Sequence, residues 1–542
     1  MITTDRLTRE TEEGIVRGTR DDLHTLVWKG IPYARAPVGE RRWKAPMKME
    51  KWEGIRDTVA FGDISPQSRI LKIVGSEDCL YLNIWRPDSD EEGLPVVVEI
   101  HGGGNTVGTS GFPLYYGTYL AGKGKVIFVS LNYRLGIFGW FAHPALQTGD
   151  PLTDSGNFGT LDIISALQWI RENIAHFGGN PDNVTLCGES AGGSNVLSLL
   201  LSPLAKGLFH KAEVRSALTI GGAKEQGEID ANDLIERLLV LDGTYQDKRS
   251  ARLAREKMDK RKVRDYLFSK SHKELLYPFR KSIVFGMYRW KAAFSDGIVI
   301  PFGGMEEFKK GTYPNKVPLI IGSNKNEMKL FIGLVPLFHK ARSLFVPVAR
   351  YTSLIWKVRG VDEIARSITA LENGPNVFAY EFAWGSTRDD GLAAHSSGSS
   401  YILGAHHGSE IPFFLGNPKE SIDSYLRMSL TNPGNLPGKL DLMEAILSYK
   451  MNFIRTGDPG RGLHGDLVRW EKWSNEHEGP KCIILDATAA QKDIRMATRE
   501  ISLPALKKQI DGLPRFQNYL VSKLTPNYRG KITGPENETG RR

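Results

Sequence analysis

Cysteine is scarce in this sequence, with only Cys79, Cys187 and Cys482 among 542 residues. Three scattered cysteines cannot form the disulfide framework of a small secreted domain, and so low a number is typical of a reducing compartment. No run of about eighteen apolar residues occurs, so we expect no membrane-spanning helix. The first residues are polar and charged, without the apolar segment that a signal peptide needs. From these absences we predict a cytoplasmic protein.

The sequence also lacks a strong excess of one charge, except in one place. The formal net charge is +9, and much of the excess lies in a Lys- and Arg-rich stretch at residues 248–264. No aromatic platform or DNA-binding motif accompanies these cations. We therefore interpret the stretch as the solvated face of helices and expect no nucleic-acid partner. A hydrophobic content of 41% is ordinary for a globular protein with a full core.

The stretch Gly188-Glu189-Ser190-Ala191-Gly192 places a serine between two glycines. The apolar, partly β-branched residues 183–187 predict a buried strand before it, and residues 191–201 predict a helix after it. With this spacing the serine belongs to a nucleophile elbow, in which a strained turn exposes the hydroxyl at the top of a sheet. We expect a side chain at position 188 or 192 to collide with the neighbouring strand or helix. The alternative is an ordinary glycine-rich turn that happens to carry a serine.

Three consecutive glycines follow another predicted strand. Residues 95–100 form a β-branched run typical of a central strand, and His101-Gly102-Gly103-Gly104-Asn105 comes directly after it. Glycines leave main-chain N–H groups uncovered. Gly103 and Gly104, together with Ala191 after the serine, are therefore candidates for an oxyanion hole. The alternative is a flexible linker, but the position after a strand and upstream of the elbow favours the oxyanion hole.

A serine hydroxyl needs an adjacent base, and that base needs an orienting carboxylate. On this kind of scaffold the order along the chain is serine, acid, histidine. Glu327 lies on a loop after the predicted strand 317–322, and His406 and His407 lie on a later loop beside glycines. By order alone, Glu327 is one of several acids and the two histidines are equal candidates.

Predicted strands alternate with predicted helices along most of the chain. This alternation predicts an α/β protein with a central, mostly parallel, twisted sheet flanked by helices. Residues 225–295 and part of 330–370 favour helix and have few strand signals, so we expect helical insertions over the active site. We assign residues 1–524 to a single domain and residues 525–542 to a loose polar C-terminal tail.

Several motifs together resemble the type B carboxylesterase family, the cholinesterase-like α/β-hydrolases. The resemblance runs from about Gly30 to about Trp473. It is carried by GIPYARAPVGERRW, SEDCLYLNIW, HGGG, NYRLGIFGW, GNFGTLDIISALQWIRENIAHFGGNPDNVTLCGESAGG, FSDGIVIP, GSNKNE, HHGSEIPFFLG and TGDP. It implies the α/β-hydrolase fold and a catalytic triad of Ser190, Glu327 and His407, with His406 as a neighbour. It also implies a structural salt bridge between Arg42 and Glu77.

The sequence departs from the family's pattern at several positions. Ser65 stands where the family often has the cysteine that pairs with the one at position 79, so we expect Cys79 to be unpaired. Residues 67–75 contain no aromatic residue in place of the tryptophan with which cholinesterases bind a quaternary ammonium, so choline esters are not expected as preferred substrates. Asn105 replaces an aromatic residue, which we expect to alter the pocket beside the oxyanion hole. In the family, the segment at 213–223 usually runs to a Ser-Gly pair. This sequence has EVRSALTIGGA there instead.

The resemblance implies a serine carboxylesterase that hydrolyses small-molecule esters through an acyl-enzyme, without a metal or organic cofactor. The same triad could act on aryl carbamates or amides, and a non-catalytic binding protein on this fold is a third alternative. Since His407 must be neutral to act as the base, we expect activity to fall below a pH of ~6–7. Trp290, Phe294 and Phe331 are candidate pocket aromatics, with core packing as an equal alternative. The natural substrate and the oligomeric state are not predicted.

Overall fold

The structure is a computed structural model that describes residues 6–69, 72–218, 221–280, 287–333, 335, 338, 340–388, 397–419 and 430–525. The predicted polar tail therefore lies outside the described residues, apart from Thr525.

The described residues form strands and helices whose bounds are as follows. The strands are β1 Thr8–Glu10, β2 Ile15–Arg17, β3 Thr19–Asp21, β4 Thr25–Pro32, β5 Ile55–Asp57, β6 Gln67–Arg69, β7 Lys72–Val74, β8 Tyr81–Pro87, β9 Leu94–Ile100, β10 Ile127–Leu131, β11 Gly179–Glu189, β12 Lys211–Arg215, β13 Leu319–Asn324, β14 Val377–Phe382, β15 Cys482–Ala487 and β16 Lys492–Ala497. The α-helices are α1 Thr118–Gly124, α2 Gly136–Gly139, α3 Pro151–Asp154, α4 Phe158–Asn173, α5 Ala191–Leu201, α6 Lys224–Leu241, α7 Lys248–Arg255, α8 Lys260–Ser269, α9 His272–Leu276, α10 Glu306–Lys310, α11 Lys329–Gly333, α12 Arg342–Lys357, α13 Glu363–Thr369, α14 Ser397–Ile402, α15 Ile411–Leu415, α16 Leu436–Thr456, α17 Leu503–Asp511 and α18 Arg515–Leu524.

One large sheet organises the molecule. It contains eleven strands in the spatial order β16-β15-β14-β13-β12-β11-β9-β10-β8-β4-β3. The strands from β15 to β10 in this order run parallel to one another. Antiparallel strands complete both edges of the sheet. The predicted mostly parallel sheet is thereby confirmed.

Both faces of the central strands are buried, which explains their continuous apolar runs. In β9, Val96 and Val98 belong to one hydrophobic core and Val97 belongs to another. Because side chains alternate across a strand, these two cores lie on opposite faces of the sheet. Helices α4 and α5 contribute to the first core and α16 to the second.

The helices and strands agree with the predicted ones, with small shifts at their ends. Helix α5 spans the predicted residues, and α4 begins at Phe158 and tightens into a 3₁₀ turn at Ile174–Phe177. Strand β11 begins earlier than predicted, at Gly179, because an irregular register precedes Val184. The element ends depend on such local irregularities, which periodicity alone does not specify.

The charged segment after β12 folds largely into helices α6 to α9, but its last part does not. Residues 287–295 contain no helix and instead pack along the core. Trp290 donates a hydrogen bond to the carbonyl oxygen of Trp140 at 2.6 Å, and Phe294 is fully buried. For Trp290 and Phe294 the alternative of core packing is therefore the correct one.

The basic stretch at 248–264 lies in α7 and α8. Several of its cations form exposed ion pairs, for example Lys248 with Asp233 and Arg264 with Glu40. Among the residues that the structure describes, no helix has both the length and the apolarity that a membrane crossing requires.

Four charged side chains form a buried cluster beneath the elbow, and two of them belong to segment 213–223, where the sequence departs from the family's pattern. Arg215 of β12 contacts both Glu213 and Glu99, and all three side chains are fully buried. Lys450 of α16 donates a hydrogen bond to Glu213 at 3.0 Å. Cys187 of β11 lies between Glu99 and Glu213 in the strand register. Two cations thus balance two carboxylates, which gives Glu213 and Arg215 a structural account.

Removing one member of this cluster should be costly. Arg215→Met would leave two buried carboxylates facing one cation. We expect the free energy of unfolding to fall by about 3–5 kcal/mol, because the variant leaves an uncompensated buried charge. Urea titration followed by circular dichroism measures this loss.

Arg264→Met is the matched control, since it removes an arginine whose ion pair with Glu40 is exposed. Its expected loss is about 0–1 kcal/mol. Equal losses in the two variants would contradict the importance of the buried cluster.

Candidate active site

The backbone at Ser190 is strained in the way that the elbow motif predicts. Ser190 has φ 57° and ψ −122°, in the left-handed region that non-glycine residues rarely adopt. A Cβ atom added to Gly188 would lie 2.5 Å from the main-chain carbon and oxygen of Gly192. A Cβ atom added to Gly192 would lie 2.0 Å from the carbonyl oxygen of Ile100 in β9. Both predicted collisions are confirmed.

The three residues predicted as a triad lie in one hydrogen-bonded chain. The Oγ atom of Ser190 lies 2.8 Å from Nε2 of His407. On the other side of the imidazole, Nδ1 lies 2.6 Å from Oε2 of Glu327. The second oxygen of Glu327 accepts the N–H of Asn324 at 2.7 Å, and the side chain is fully buried. These residues follow β11, β13 and β14, at the carboxyl ends of parallel strands, where open α/β sheets bind ligands.

The neighbouring histidine occupies a different position. His406 is fully buried, and its Nδ1 lies 2.8 Å from the carbonyl oxygen of His407. Its own carbonyl oxygen accepts a hydrogen bond from Nδ2 of Asn324 at 2.7 Å. The structure therefore separates two histidines that chain order left equal, since His407 meets Ser190 and His406 belongs to the supporting loop.

Three buried carboxyl groups surround the His407 imidazole. Besides Glu327, the side chain of Glu189 places Oε1 at 3.2 Å from Nε2. Glu410 lies nearby, held by the Ser216 hydroxyl at 2.6 Å and by the amide of Asn324. This cluster adds two acids that the sequence analysis did not assign to the site.

The carboxyl groups change the proton affinity of the histidine. Burial by itself lowers the pKa of His407, but the charges of Glu189 and Glu327 outweigh it and raise the pKa to about 9. Burial also raises the pKa of Glu189, to about 8. The expectation that activity falls below a pH of ~6–7 rested on the ordinary pKa of histidine. The buried acids move that expectation to higher pH.

The triple-glycine loop lies against the nucleophile. A Cβ atom added to Gly102 would lie 3.2 Å from Cβ of Ser190. Gly103 and Gly104 have φ 110° and 62°, values that glycine tolerates best. The carbonyl oxygen of Gly103 accepts the N–H groups of Thr106 and Val107, which closes the loop into a tight turn.

The predicted oxyanion donors are not used by the fold. In the described part of the chain, no acceptor bonds to the N–H of Gly103, Gly104 or Ala191. Ala191 is the first residue of α5, so its N–H has no partner within the helix. These three groups can therefore serve a ligand beside Ser190.

Asn105 belongs to the core rather than to the pocket. It is 3% exposed, and its Oδ1 accepts hydrogen bonds from Asn195 at 2.9 Å and from the Tyr133 hydroxyl at 3.2 Å. A buried amide with buried partners thus stands where the family often has an aromatic residue, and the expected change in the pocket beside the oxyanion hole stays a prediction.

Two aromatic side chains flank His407. The ring centroid of Phe331 lies 5.2 Å from the imidazole, and that of Trp356 lies 5.0 Å from it. The two rings stack on each other at 6.0 Å with an angle of 13°. Phe331 is thus the candidate aromatic that reaches the site, whereas Trp356 of α12 was not predicted.

The structural features implied by the family resemblance are present. Arg42 Nε donates to Glu77 at 2.7 Å, and both side chains are largely buried. Cys79 is unpaired and lies beside Ser65, and burial raises the pKa of its thiol. Within the described ranges, no group of three or more His, Cys, Asp or Glu side chains could hold a metal ion.

Comparison with known proteins connects this geometry to a family. Residues 5–344 match the model of the Carboxylesterase family. This chain belongs to the carboxylesterase family. It is therefore a carboxylic ester hydrolase with the α/β-hydrolase fold.

Similar proteins cover most of this carboxylesterase. It is 31% identical over 505 residues to the para-nitrobenzyl esterase of Bacillus subtilis (strain 168), covering 88% of this chain and 94% of that protein. It is 29% identical over 539 residues to the liver carboxylesterase of Sus scrofa, covering 89% and 90% of the two chains. A solved PNB esterase structure matches with a TM-score of 0.69 at 30% identity, covering 91% of this chain and 98% of that one.

Of the site residues that the sequence analysis missed, two had a signal in the sequence. Glu189 lies inside the elbow motif, and Glu410 lies three residues after His407. Their nearness in sequence to the triad could have marked them. Trp356 had no such signal, since it lies in a helix whose contact with His407 is purely tertiary.

Glu189→Gln should lower the pKa of the His407 imidazole in this carboxylesterase. The substitution removes the negative charge nearest to Nε2, so the protonated form loses stabilisation. We expect a fall of about 1–3 units, the effect typical of one charge at this distance. Nuclear magnetic resonance of ¹⁵N-histidine-labelled protein measures the titration. Glu471→Gln removes an exposed acid paired with Arg469 and is the control, which should leave the pKa of His407 unchanged. An unchanged pKa of His407 in Glu189→Gln would contradict the effect assigned to the Glu189 charge.

Proposed function

We propose that this carboxylesterase hydrolyses its substrate with Ser190 as nucleophile, His407 as base and Glu327 as the orienting acid, through an acyl-enzyme. The observation that carries the proposal is the continuous hydrogen-bonded chain, with 2.8 Å between Ser190 and His407 and 2.6 Å between His407 and Glu327. A serine hydroxyl is a weak nucleophile unless a base removes its proton as it attacks. The buried carboxylate fixes the tautomer of the imidazole and stabilises its charged form.

Acylation begins when Oγ of Ser190 attacks the ester carbonyl carbon and its proton moves to Nε2 of His407. The carbonyl oxygen becomes an oxyanion, which the N–H groups of Gly103, Gly104 and Ala191 stabilise. When the bond to the alcohol breaks, the departing alkoxide takes the proton from Nε2. The loss of one oxyanion donor typically costs about a hundredfold or more in turnover.

Deacylation repeats these steps with water as the nucleophile. His407 takes a proton from water, the hydroxide attacks the acyl carbonyl, and the same N–H groups stabilise the second tetrahedral intermediate. The bond to Oγ then breaks, and Ser190 recovers its proton from Nε2. This chemistry uses only side chains and main-chain groups of the protein.

The substrate we propose is an uncharged carboxylic ester of a small molecule. The named relatives include a para-nitrobenzyl esterase and a liver carboxylesterase. The aromatic rings of Phe331 and Trp356 add an apolar wall beside the reacting atoms.

Ser190→Ala should abolish ester hydrolysis and covalent labelling. An organophosphate should label the unmodified enzyme once per chain, detected by intact mass, and should not label the variant. Turnover of p-nitrophenyl esters should fall about 10⁴-fold or more, since the nucleophile is absent. Matched carbamate and anilide substrates, run in parallel, test whether the ester is preferred.

Ser198→Ala is the matched control for this experiment. Ser198 lies in the same helix, is buried, and donates only to the carbonyl oxygen of Ser194 at 3.1 Å. This variant should keep labelling and turnover. Labelling that persists in Ser190→Ala would place the nucleophile elsewhere.

The activity should rise with pH on the alkaline side of neutrality. His407 must be neutral to accept the serine proton, and its raised pKa of about 9 keeps it protonated at lower pH. We therefore expect kcat/KM to fall as the pH decreases through about 9. A pH–rate profile between pH 6 and 10, corrected for spontaneous hydrolysis, measures this fall in kcat/KM. A value of kcat/KM that stays constant down to pH 6 would contradict the role of the buried acids.

A further inference from the structure

The tryptophans of this chain differ in one respect. At least nine of the eleven donate a hydrogen bond from Nε1 to a protein acceptor: Trp28, Trp43, Trp52, Trp85, Trp140, Trp169, Trp290, Trp470 and Trp473. The Nε1 atom of Trp356 is buried, and no acceptor among the described residues pairs with it. A buried donor without a partner costs free energy, so the Nε1 of Trp356 calls for an acceptor that the described residues do not supply.

The orphan donor lies beside the reacting atoms. The indole of Trp356 is 5.0 Å from the His407 imidazole, centroid to centroid, at an angle of 53°. Nε2 of that imidazole is in turn 2.8 Å from the Ser190 hydroxyl. Phe331 stacks on the indole, so the indole ring has a defined orientation. Trp356 is 8% exposed, and its Nε1 atom is buried.

The helix that carries the indole is fixed to the catalytic loop. Ser353 of α12 accepts the N–H of Met328 at 3.1 Å, directly after Glu327. At the end of α12, Lys357 forms a buried ion pair with Asp362 at 2.8 Å across the π-helical turn Val358–Asp362. Short π-helical segments are frequent at functional sites. The hydrogen bond before Trp356 and the ion pair after it therefore both fix the position of the indole.

The turn after α12 also directs the pyrrole edge of the indole. A Cβ atom added to Gly360 would lie 2.4 Å from the carbonyl oxygen of Ala217 and 3.6 Å from Cδ1 of Trp356. Cδ1 is bonded to Nε1, so the edge that carries the N–H lies where Gly360 meets Ala217. Ala217 follows β12, whose last residue, Arg215, accepts the Ser190 N–H through its carbonyl oxygen at 2.9 Å. The pyrrole edge thus lies beside the turn after β12, the strand to which Ser190 is hydrogen-bonded.

We propose that Trp356 is a specificity-determining residue whose indole N–H donates a hydrogen bond to an acceptor oxygen of the ester substrate, outside the scissile ester group. The inference rests on the proposed function. The enzyme then prefers esters that carry an ether, carbonyl or hydroxyl oxygen near the reacting carbon over alkyl esters of the same size. A site built around a buried donor discriminates against a ligand that leaves the donor unpaired.

Trp356→Phe tests the proposal, because phenylalanine keeps an aromatic ring beside His407 but has no N–H donor. The first arm compares p-nitrophenyl methoxyacetate with p-nitrophenyl butyrate, which differ by one ether oxygen in place of a methylene group. The second arm compares 2-methoxyethyl acetate with butyl acetate, which moves the oxygen to the alcohol. The quantity measured is the ratio of kcat/KM for the ether ester to that for the alkyl ester, so the intrinsic reactivities cancel between enzyme forms.

In one arm we expect this ratio to fall about three- to tenfold in Trp356→Phe, as for the loss of one hydrogen bond. The arm that responds identifies the side of the ester that the indole meets. Phe331→Leu is the matched control, since it alters the other flanking ring and keeps the donor. It should change both esters of a pair by the same factor.

An unchanged ratio in both arms, or an equal loss on both esters of each pair, would overturn the proposal and leave Trp356 as a packing residue for His407. Organophosphate labelling of Ser190 separates this result from failure of the proposed function. An enzyme that is labelled and turns over esters, but whose ratios do not respond to Trp356→Phe, refutes only the role of the indole. An enzyme without labelling or turnover refutes the triad itself.

Discussion

The left-handed backbone of Ser190 is the constraint on which the rest of the site depends. The chain must leave β11 and enter α5 within one residue, so close to β9 that position 192 has no room for a Cβ atom. The carbonyl oxygen of Arg215 holds the Ser190 N–H at 2.9 Å and joins this bend to β12. Because the hydroxyl has one position relative to three parallel strands, the loops after β9, β13 and β14 can each supply a group to the same point.

Two charge clusters with opposite character lie around this bend. Below it, Arg215 and Lys450 balance Glu99 and Glu213, so a large buried charge adds little net field. Beside it, Glu189 and Glu327 outweigh the effect of burial and raise the pKa of the His407 imidazole. The backbone connects the two clusters, since Arg215 bonds to Ser190 and the next residue, Ser216, bonds to Glu410. The first cluster thus supports the sheet, whereas the second lies against the His407 imidazole.

The parts of the site that the sequence predicted are those encoded by local patterns. The elbow, the triple-glycine loop and the acid after β13 each depend on a few consecutive residues and an adjacent strand, so their types and spacing are sufficient. The choice between His406 and His407 required either the family resemblance or coordinates, because both are flanked by the same loop. The burial of Asn105 and the pKa of His407 depend on residues far apart in sequence. Such contacts leave no periodic pattern.

The proposed role of Trp356 assigns chemistry and substrate choice to different parts of this carboxylesterase. The reacting groups lie on short loops at the ends of sheet strands, where small displacements would break the hydrogen-bonded chain. The aromatic wall lies on α11 and α12, which join the sheet through a few contacts such as the one between Ser353 and Met328. A substitution on these helices can therefore change the pocket while the strand ends keep their geometry. The same physical separation explains why the reaction class could be inferred from local motifs, whereas the aromatic wall beside His407 depends on long-range packing that only the folded structure contains.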